Sequence, residues 1–91
     1  MPPLLGFAFS AQSLAFLKTV PLKHRKQIVA KAQSLLSNPI PPGSKQLQNM
    51  MEGDNPIRRI RSGDYRILYV VKSNPDQVVI VDIGHRKDVY R

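Results

Sequence analysis

The segment from residue 57 to residue 69 restricts the fold most, because it is typical of a tight β-hairpin. Its sequence, Ile-Arg-Arg-Ile-Arg-Ser-Gly-Asp-Tyr-Arg-Ile-Leu-Tyr, places arginines and aliphatic residues on either side of a Gly-Asp pair. Glycine at the first of two central turn positions is typical of a type II′ turn, which suits the twist of the flanking strands. With Gly63 and Asp64 in the turn, Arg61 lies opposite Arg66.

These arginines are predicted to share one face of the hairpin. Arg59 and Arg61 alternate with Ile60, so a strand directs both arginines to one side and the isoleucine to the other. Like charges opposite each other destabilise a sheet unless something negative lies between them. The cross-strand pair of Arg61 and Arg66 therefore indicates a polyanion site. The alternative interpretation is a solvated sheet face, which is the usual setting of strand arginines.

Composition limits the chain to one basic domain, residues 1–91. The 91 residues carry 14 Lys and Arg against six Asp and Glu, a formal charge of +8. This excess favours a phosphate-rich partner or an acidic protein. The sequence has no cysteine, which excludes disulfides and thiolate metal sites, and a reducing compartment fits. No basic flank with a long apolar run begins the chain, so we expect a cytoplasmic protein that spans no membrane.

The first half of the chain predicts one strand and two helices. Residues 4–9 form a short apolar run that ends at Ser10, a good helix N-cap. Apolar residues at helical spacing predict helices over residues 10–19 and 22–37, separated by Pro21. In the second helix the apolar stripe is formed by Ile28, Ala32, Leu35 and Leu36.

The second half predicts three strands, over residues 56–61, 65–72 and 77–84, while residues 39–47 are predicted to be a loop. The resulting order is β-α-α-β-β-β. We therefore predict an α+β fold in which a two-helix hairpin packs on one face of a twisted, mainly antiparallel four-stranded sheet. The other sheet face is expected to be open.

Four segments in this order resemble the RelE/ParE superfamily of toxins from bacterial toxin-antitoxin modules. They are Leu-Ser-Asn-Pro (36–39), Pro-Pro-Gly-Ser-Lys-Gln-Leu (41–47), the hairpin sequence from Arg59 to Tyr69, and Gly-His-Arg-Lys-Asp-Val-Tyr (84–90). The RelE branch is the most similar, and its members cleave messenger RNA in the ribosomal A site. ParE-like members inhibit DNA gyrase on the same fold, so the fold alone does not select the target.

The resemblance implies a catalytic set for metal-free RNA cleavage. Arg59 and Arg66 match basic family positions suited to stabilising charge on a phosphate. Arg86 matches an arginine associated with transition-state stabilisation, and Tyr90 matches a C-terminal tyrosine implicated in base stacking and proton transfer. Such a site needs a proton acceptor, cations and a proton donor.

Two positions depart from the best-known RelE pattern, which has lysine at both. Ile57 removes one candidate for activating the nucleophile. His85 can accept or donate a proton near neutral pH, so we predict that it is a proton-transfer residue. The alternative is a structural histidine at a strand end.

Other basic residues are predicted to bind RNA. Lys45, Arg61 and Lys87 are assigned to messenger RNA. The second-helix residues Lys23, Arg25, Lys26 and Lys31 are assigned to ribosomal RNA, or else form only a solubilising helix face.

The resemblance also implies partners: the ribosome with its messenger RNA, and an antitoxin that covers the basic site with an acidic, amphipathic segment. We expect a monomer when the toxin is free and a hetero-oligomer with the antitoxin. No metal or cofactor is expected, because the two histidines are far apart in sequence and the carboxylates do not cluster. The alternatives to a nuclease are a gyrase inhibitor and an inactive descendant that acts as a binding partner.

Overall fold

The computed structural model describes residues 6–73 and 76–85, and within them the predicted α+β fold is confirmed. The elements are β1 (Gly6–Phe9), α1 (Ala11–Leu17), α2 (Leu22–Ser34), β2 (Lys45–Glu52), β3 (Asn55–Ser62), β4 (Tyr65–Lys72) and β5 (Gln77–His85). They form one sheet of order β1-β5-β4-β3-β2. Strand β1 is parallel to β5, and the other neighbours are antiparallel.

The described sheet has five strands, so the prediction of four was wrong. The additional strand is β2, whose first residues were assigned to a loop. Its sequence, Lys-Gln-Leu-Gln-Asn-Met-Met-Glu, has no β-branched residue and no strict alternation. Asn49 adopts a φ of 60°, and the register with β3 shifts between Gln46 and Met51. This irregular edge strand depends on pairing with β3, which a local sequence pattern does not reveal.

The main core lies between the helices and one face of the sheet. The predicted stripe of α2 is confirmed, since Ile28, Ala32 and Leu35 are fully buried and Leu36 packs against the core. The buried strand residues of this cluster are Ile60, Ile67, Tyr69, Val78, Ile80 and Ile83. Ile60 therefore faces the helices, which confirms the predicted alternation with Arg59 and Arg61.

The opposite side of the sheet, called here the open face, has a small apolar cluster of its own. Ile57, Leu68 and Val70 are buried there, with side chains of β2 and β5 packed against them. Because β3 and β4 are antiparallel, Ile57 and Val70 lie toward the far end of the sheet, while Arg61 and Arg66 lie next to the hairpin turn. The open face thus changes from basic to apolar along the strands.

A β-bulge in β5 determines which side chains face which way. Leu68 pairs with Asp82, whereas the next residue, Tyr69, pairs with Ile80, so Val81 is an extra residue in the ladder. Val81 packs in the open-face cluster, and the register places Asp82 opposite Leu68. A one-residue insertion reverses the alternation beyond it. Every residue of β5 after the bulge therefore faces opposite to its position in a regular strand.

The start of α1 holds this bulge in place. The backbone N–H of Ser10 donates to the Ile80 carbonyl (2.8 Å), and the Ser10 hydroxyl donates to the Val81 carbonyl (2.6 Å). Gln12 Nε2 donates to the same Val81 oxygen (3.0 Å). The Ser10 Oγ also accepts the Ser13 backbone N–H, which confirms the predicted N-cap.

Replacing Ser10 with alanine is expected to lower the free energy of unfolding by about 1 to 2 kcal/mol, because both the helix cap and a bond to the bulge are lost. Urea unfolding followed by circular dichroism measures the change. The control is Ser37→Ala, at an exposed serine beyond α2. Equal stability of the two variants would contradict this account of the bulge.

Candidate functional site

The hairpin turn aligns the basic residues as the sequence predicts. Gly63 has a φ of 59°. Among the described residues other than glycine, only Asn49 has a positive φ. Asp64 therefore does not have positive φ, as a type II′ turn requires. Arg61 pairs with Arg66 across the strands, which confirms the predicted register.

The open face next to this turn carries Arg59, Arg61 and Arg66, called here the arginine cluster. Arg66 has Arg61 on one side and Gly84 on the other. Glycine has no side chain, so β5 leaves space beside Arg66. One row further from the turn, the strands place Lys45, Arg59, Leu68 and Asp82 side by side.

The members of the cluster differ in burial. Arg59 and Arg66 are half-buried, and their Nε atoms are inaccessible to solvent. Arg61 and Lys45 are exposed. Long basic side chains bury their stems against apolar neighbours and keep the charge at the surface. The cluster thus combines two partly buried arginines with one exposed arginine, and the exposed Lys45 lies beside it, paired with Arg59.

His85 lies on the helix side of the sheet, away from the arginine cluster. It pairs with Tyr65, and the two rings make an edge contact with centroids 5.9 Å apart. Tyr65 also contacts His24 (5.9 Å) and Phe16 (6.1 Å), which belong to the helices. The β5 bulge explains this orientation, because regular alternation from Ile80 would direct His85 to the open face. The structure therefore does not group His85 with Arg59 and Arg66 as the sequence interpretation did.

The basic residues of α2 have different environments. Lys23, Lys26 and Lys31 are exposed. Arg25 is half-buried, and its Nη2 donates to the carbonyls of Lys18 (3.3 Å) and Val20 (3.0 Å). Arg25 therefore stabilises the connection between the two helices, a role that its position among basic residues did not indicate.

Lys31 is the α2 residue that the structure brings to the arginine cluster. It lines a pocket together with Arg59 and Arg61. The sequence carried no signal for this proximity, since Lys31 and Arg59 are far apart in the chain and meet only when α2 packs against β3. Arg58, which alternates with Arg59 on β3, lies on the side of the strand opposite the open face. Its Nη2 donates to Ser44 Oγ (3.1 Å).

Three predicted site residues, Arg86, Lys87 and Tyr90, lie outside the described residues. In the part of the chain that the structure describes, no three His, Asp or Glu side chains form a group that could hold a metal ion. The same part has no helix long and apolar enough to cross a membrane.

Sequence comparison assigns the chain to a toxin family. Residues 9–90 match the family model described as ParE toxin of type II toxin-antitoxin system, parDE. The chain therefore belongs to the ParE toxin family, within the RelE/ParE superfamily that the sequence motifs predict. No curated protein matches the chain in sequence.

Solved structures with the same fold include RelE proteins. The archaeal RelE-RelB complex from Pyrococcus horikoshii matches at 22% identity, with a TM-score of 0.78 over 94% of this chain and 99% of that one. The toxin-antitoxin complex RelBE2 from Mycobacterium tuberculosis matches at 25% identity, with a TM-score of 0.77 over 97% and 98%. The YoeB/ParE toxin from Agrobacterium tumefaciens matches at 14% identity, with a TM-score of 0.71 over 89% and 98%.

Proposed function

We propose that this toxin is an endoribonuclease that cuts messenger RNA in the ribosomal A site and so inhibits translation in the cytoplasm. The arginine cluster is the observation that supports the proposal most directly. Two like-charged guanidinium groups face each other at Arg61 and Arg66, and a third cation, Arg59, lies in the next row. A bound phosphodiester would offset this repulsion.

The chemistry that this cluster can support is attack by a ribose 2′-hydroxyl on the adjacent phosphate. The O2′–P bond forms and the P–O5′ bond breaks, while one proton leaves the 2′-oxygen and another reaches the 5′-oxygen. Negative charge grows on the phosphate oxygens during this step. In the proposal, Arg59 and Arg66 stabilise that charge, because both residues are partly shielded from solvent, where a positive charge acts more strongly on a phosphate.

The remaining roles follow from the resemblance. Arg86 is assigned to transition-state stabilisation, and Tyr90 to stacking and proton transfer. Lys45, Arg61 and Lys87 would position the message, and Lys23, Lys26 and Lys31 would contact ribosomal RNA. The ribosome would supply the orientation that a site with few catalytic groups lacks.

A second function is supported by the family description, which names ParE. In this alternative the chain inhibits DNA gyrase by binding and cleaves nothing. Primer extension on translated messages and a gyrase supercoiling assay, run with the same protein, separate the two. Cuts at A-site codons with unchanged supercoiling support the nuclease. Loss of supercoiling with intact messages would show that the nuclease proposal is wrong.

We further propose that the toxin forms a hetero-oligomer with a cognate antitoxin. The structure from Pyrococcus horikoshii is a RelE-RelB complex, and the one from Mycobacterium tuberculosis is a toxin-antitoxin complex. A formal charge of +8 favours an acidic antitoxin segment on the basic end of the open face. Co-purification of the toxin with the product of the neighbouring reading frame tests this assignment.

His85 offers a test of the proton-transfer role. A residue that moves the proton contributes about 100-fold or more to the rate. Because its ring packs on Tyr65 on the helix side, His85→Gln is expected to slow ribosome-dependent cleavage less than about tenfold. Cleavage is measured by primer extension over a time course. A loss of about 100-fold or more, with normal folding, would return His85 to the reacting groups and contradict the expectation.

A further inference from the structure

A pocket of about 440 Å³ lies at the edge of β3, beside the arginine cluster. It is lined by Lys31, Pro42, Gly43, Arg59, Ile60 and Arg61. Three of these six residues are basic and none is acidic. The pocket thus has a positive lining built from three parts of the chain: α2, the connection to β2, and β3.

The pocket exists because β2 begins too late to cover all of β3. The described pairing between the two strands starts at Lys45 and Arg59, so the β3 residues nearer the hairpin turn lie beyond it. The segment before β2 closes a turn in which the Ser44 N–H donates to the Pro41 carbonyl (3.0 Å).

This turn is rigid and leaves the pocket open at Gly43. Pro42 and Gly43 occupy its two central positions, and Gly43 has a φ of 90°, as in a type II turn. Apart from Gly43 and its two neighbours in the chain, no described residue has an atom within 4 Å of the position that a Gly43 Cβ would occupy. The wall of the pocket is therefore preformed, and its backbone is accessible to a ligand.

The charges of the pocket suit a nucleic acid strand. Arg59 and Arg61 are two residues apart on a strand, a separation of roughly 7 Å that is similar to the spacing of adjacent phosphates along an extended strand. Arg59 and Arg61 both line the pocket and belong to the arginine cluster. A strand bound on the cluster could therefore place its next phosphate in the pocket.

We propose that the pocket, through Lys31 and Arg61, binds the RNA phosphate adjacent to the one held by Arg59 and Arg66. This inference rests on the proposed function, because it takes the substrate to be single-stranded RNA. The inference assigns Lys31 to binding of the messenger RNA instead of ribosomal RNA.

The test uses an RNA hexanucleotide in which every 2′-hydroxyl is methylated, so that it binds without being cut. The matched variants are Lys31→Gln and Lys18→Gln, which each remove one exposed positive charge from the helical layer. Binding is measured by fluorescence anisotropy at several salt concentrations, and the Gly43 and Arg61 amide resonances are followed by NMR.

Each phosphate contact on a single strand changes the slope of log K against log salt by about 0.7. Lys31→Gln is expected to reduce the slope by about 0.7 and to remove the RNA-induced shift at Gly43, whereas Lys18→Gln keeps both. Equal slopes for the two variants, or an unshifted Gly43 in the unmodified toxin, would overturn the pocket assignment. A Gly43 shift caused by polyglutamate but not by RNA would assign the pocket to a carboxylate partner and also overturn it.

The experiments distinguish an error in the pocket assignment from an error in the nuclease proposal. If the unmodified toxin cuts messages on ribosomes while Lys31→Gln and Lys18→Gln bind RNA equally, only the pocket assignment is wrong. If the toxin cuts nothing but the Lys31-dependent Gly43 shift is present, RNA binding in the pocket stands and only the nuclease proposal is wrong.

Discussion

Replacing Arg66 with glutamine is expected to lower the rate of ribosome-dependent cleavage by about 100-fold. Removing one preorganised donor that stabilises developing charge typically costs this much or more. Glutamine retains a hydrogen-bonding group but loses the positive charge, so the effect reports on electrostatic stabilisation of the phosphate. Arg66 is half-buried next to Gly84, which lets its guanidinium lie over the open face. Primer extension on a translated message, with a time course for each protein, measures the rate.

Lys72→Gln is the matched control for this prediction. Lys72 is also half-buried and lies on the same strand, at the end far from the hairpin turn. The Lys72→Gln toxin should cleave at close to the normal rate, which separates an effect on the site from a general loss of positive charge. Thermal unfolding of both variants confirms folding. A folded Arg66→Gln toxin that cleaves within about tenfold of the unmodified toxin would remove Arg66 from the proposed mechanism.

Replacing Leu35 with alanine is expected to lower the free energy of unfolding by about 2 to 5 kcal/mol. Leu35 is fully buried at the end of α2, where it packs in the main core. The truncation loses apolar burial and leaves a cavity that the surroundings fill only partly. Domains are typically stable by roughly 5 to 15 kcal/mol, so the variant would lose a large fraction of its stability. Urea unfolding gives the change directly.

Leu22→Ala provides the control for Leu35→Ala, because it makes the same substitution at the first residue of the same helix. Leu22 is 58% exposed, so its truncation should cost less than about 0.5 kcal/mol. Similar losses at both positions would mean that α2 does not pack through the predicted stripe. This comparison tests the helix orientation, which also determines where Lys31 lies.

The hairpin was predictable because its determinants are local. Turn chemistry at Gly63 and the alternation of Arg59, Ile60 and Arg61 specify the register without reference to the rest of the chain. The buried stripe of α2 was predictable for a similar reason, since helical periodicity is a property of one segment. Strand β2 was not predictable in this way, because its irregular backbone is stabilised by pairing with β3.

The orientation of His85 could not be predicted from a local sequence pattern. A single extra residue, Val81, reverses the alternation of β5, and the bulge is held by hydrogen bonds from Ser10 and Gln12 about 70 residues earlier in the chain. The sequence of β5 alone does not indicate that Ser10 and Gln12 bind this strand.

The amino-acid sequence by itself determined the superfamily, through four motifs in a fixed order. It also determined both helices, the hairpin register and the arginine-bearing face, because each of these depends on residues that are close together in the chain. Only the tertiary structure decided that β2 joins the sheet, that His85 faces the helices, and that Lys31 lies beside Arg59 and Arg61. The physical reason is that these outcomes depend on packing and hydrogen bonds between segments far apart in the chain, which no local periodicity encodes.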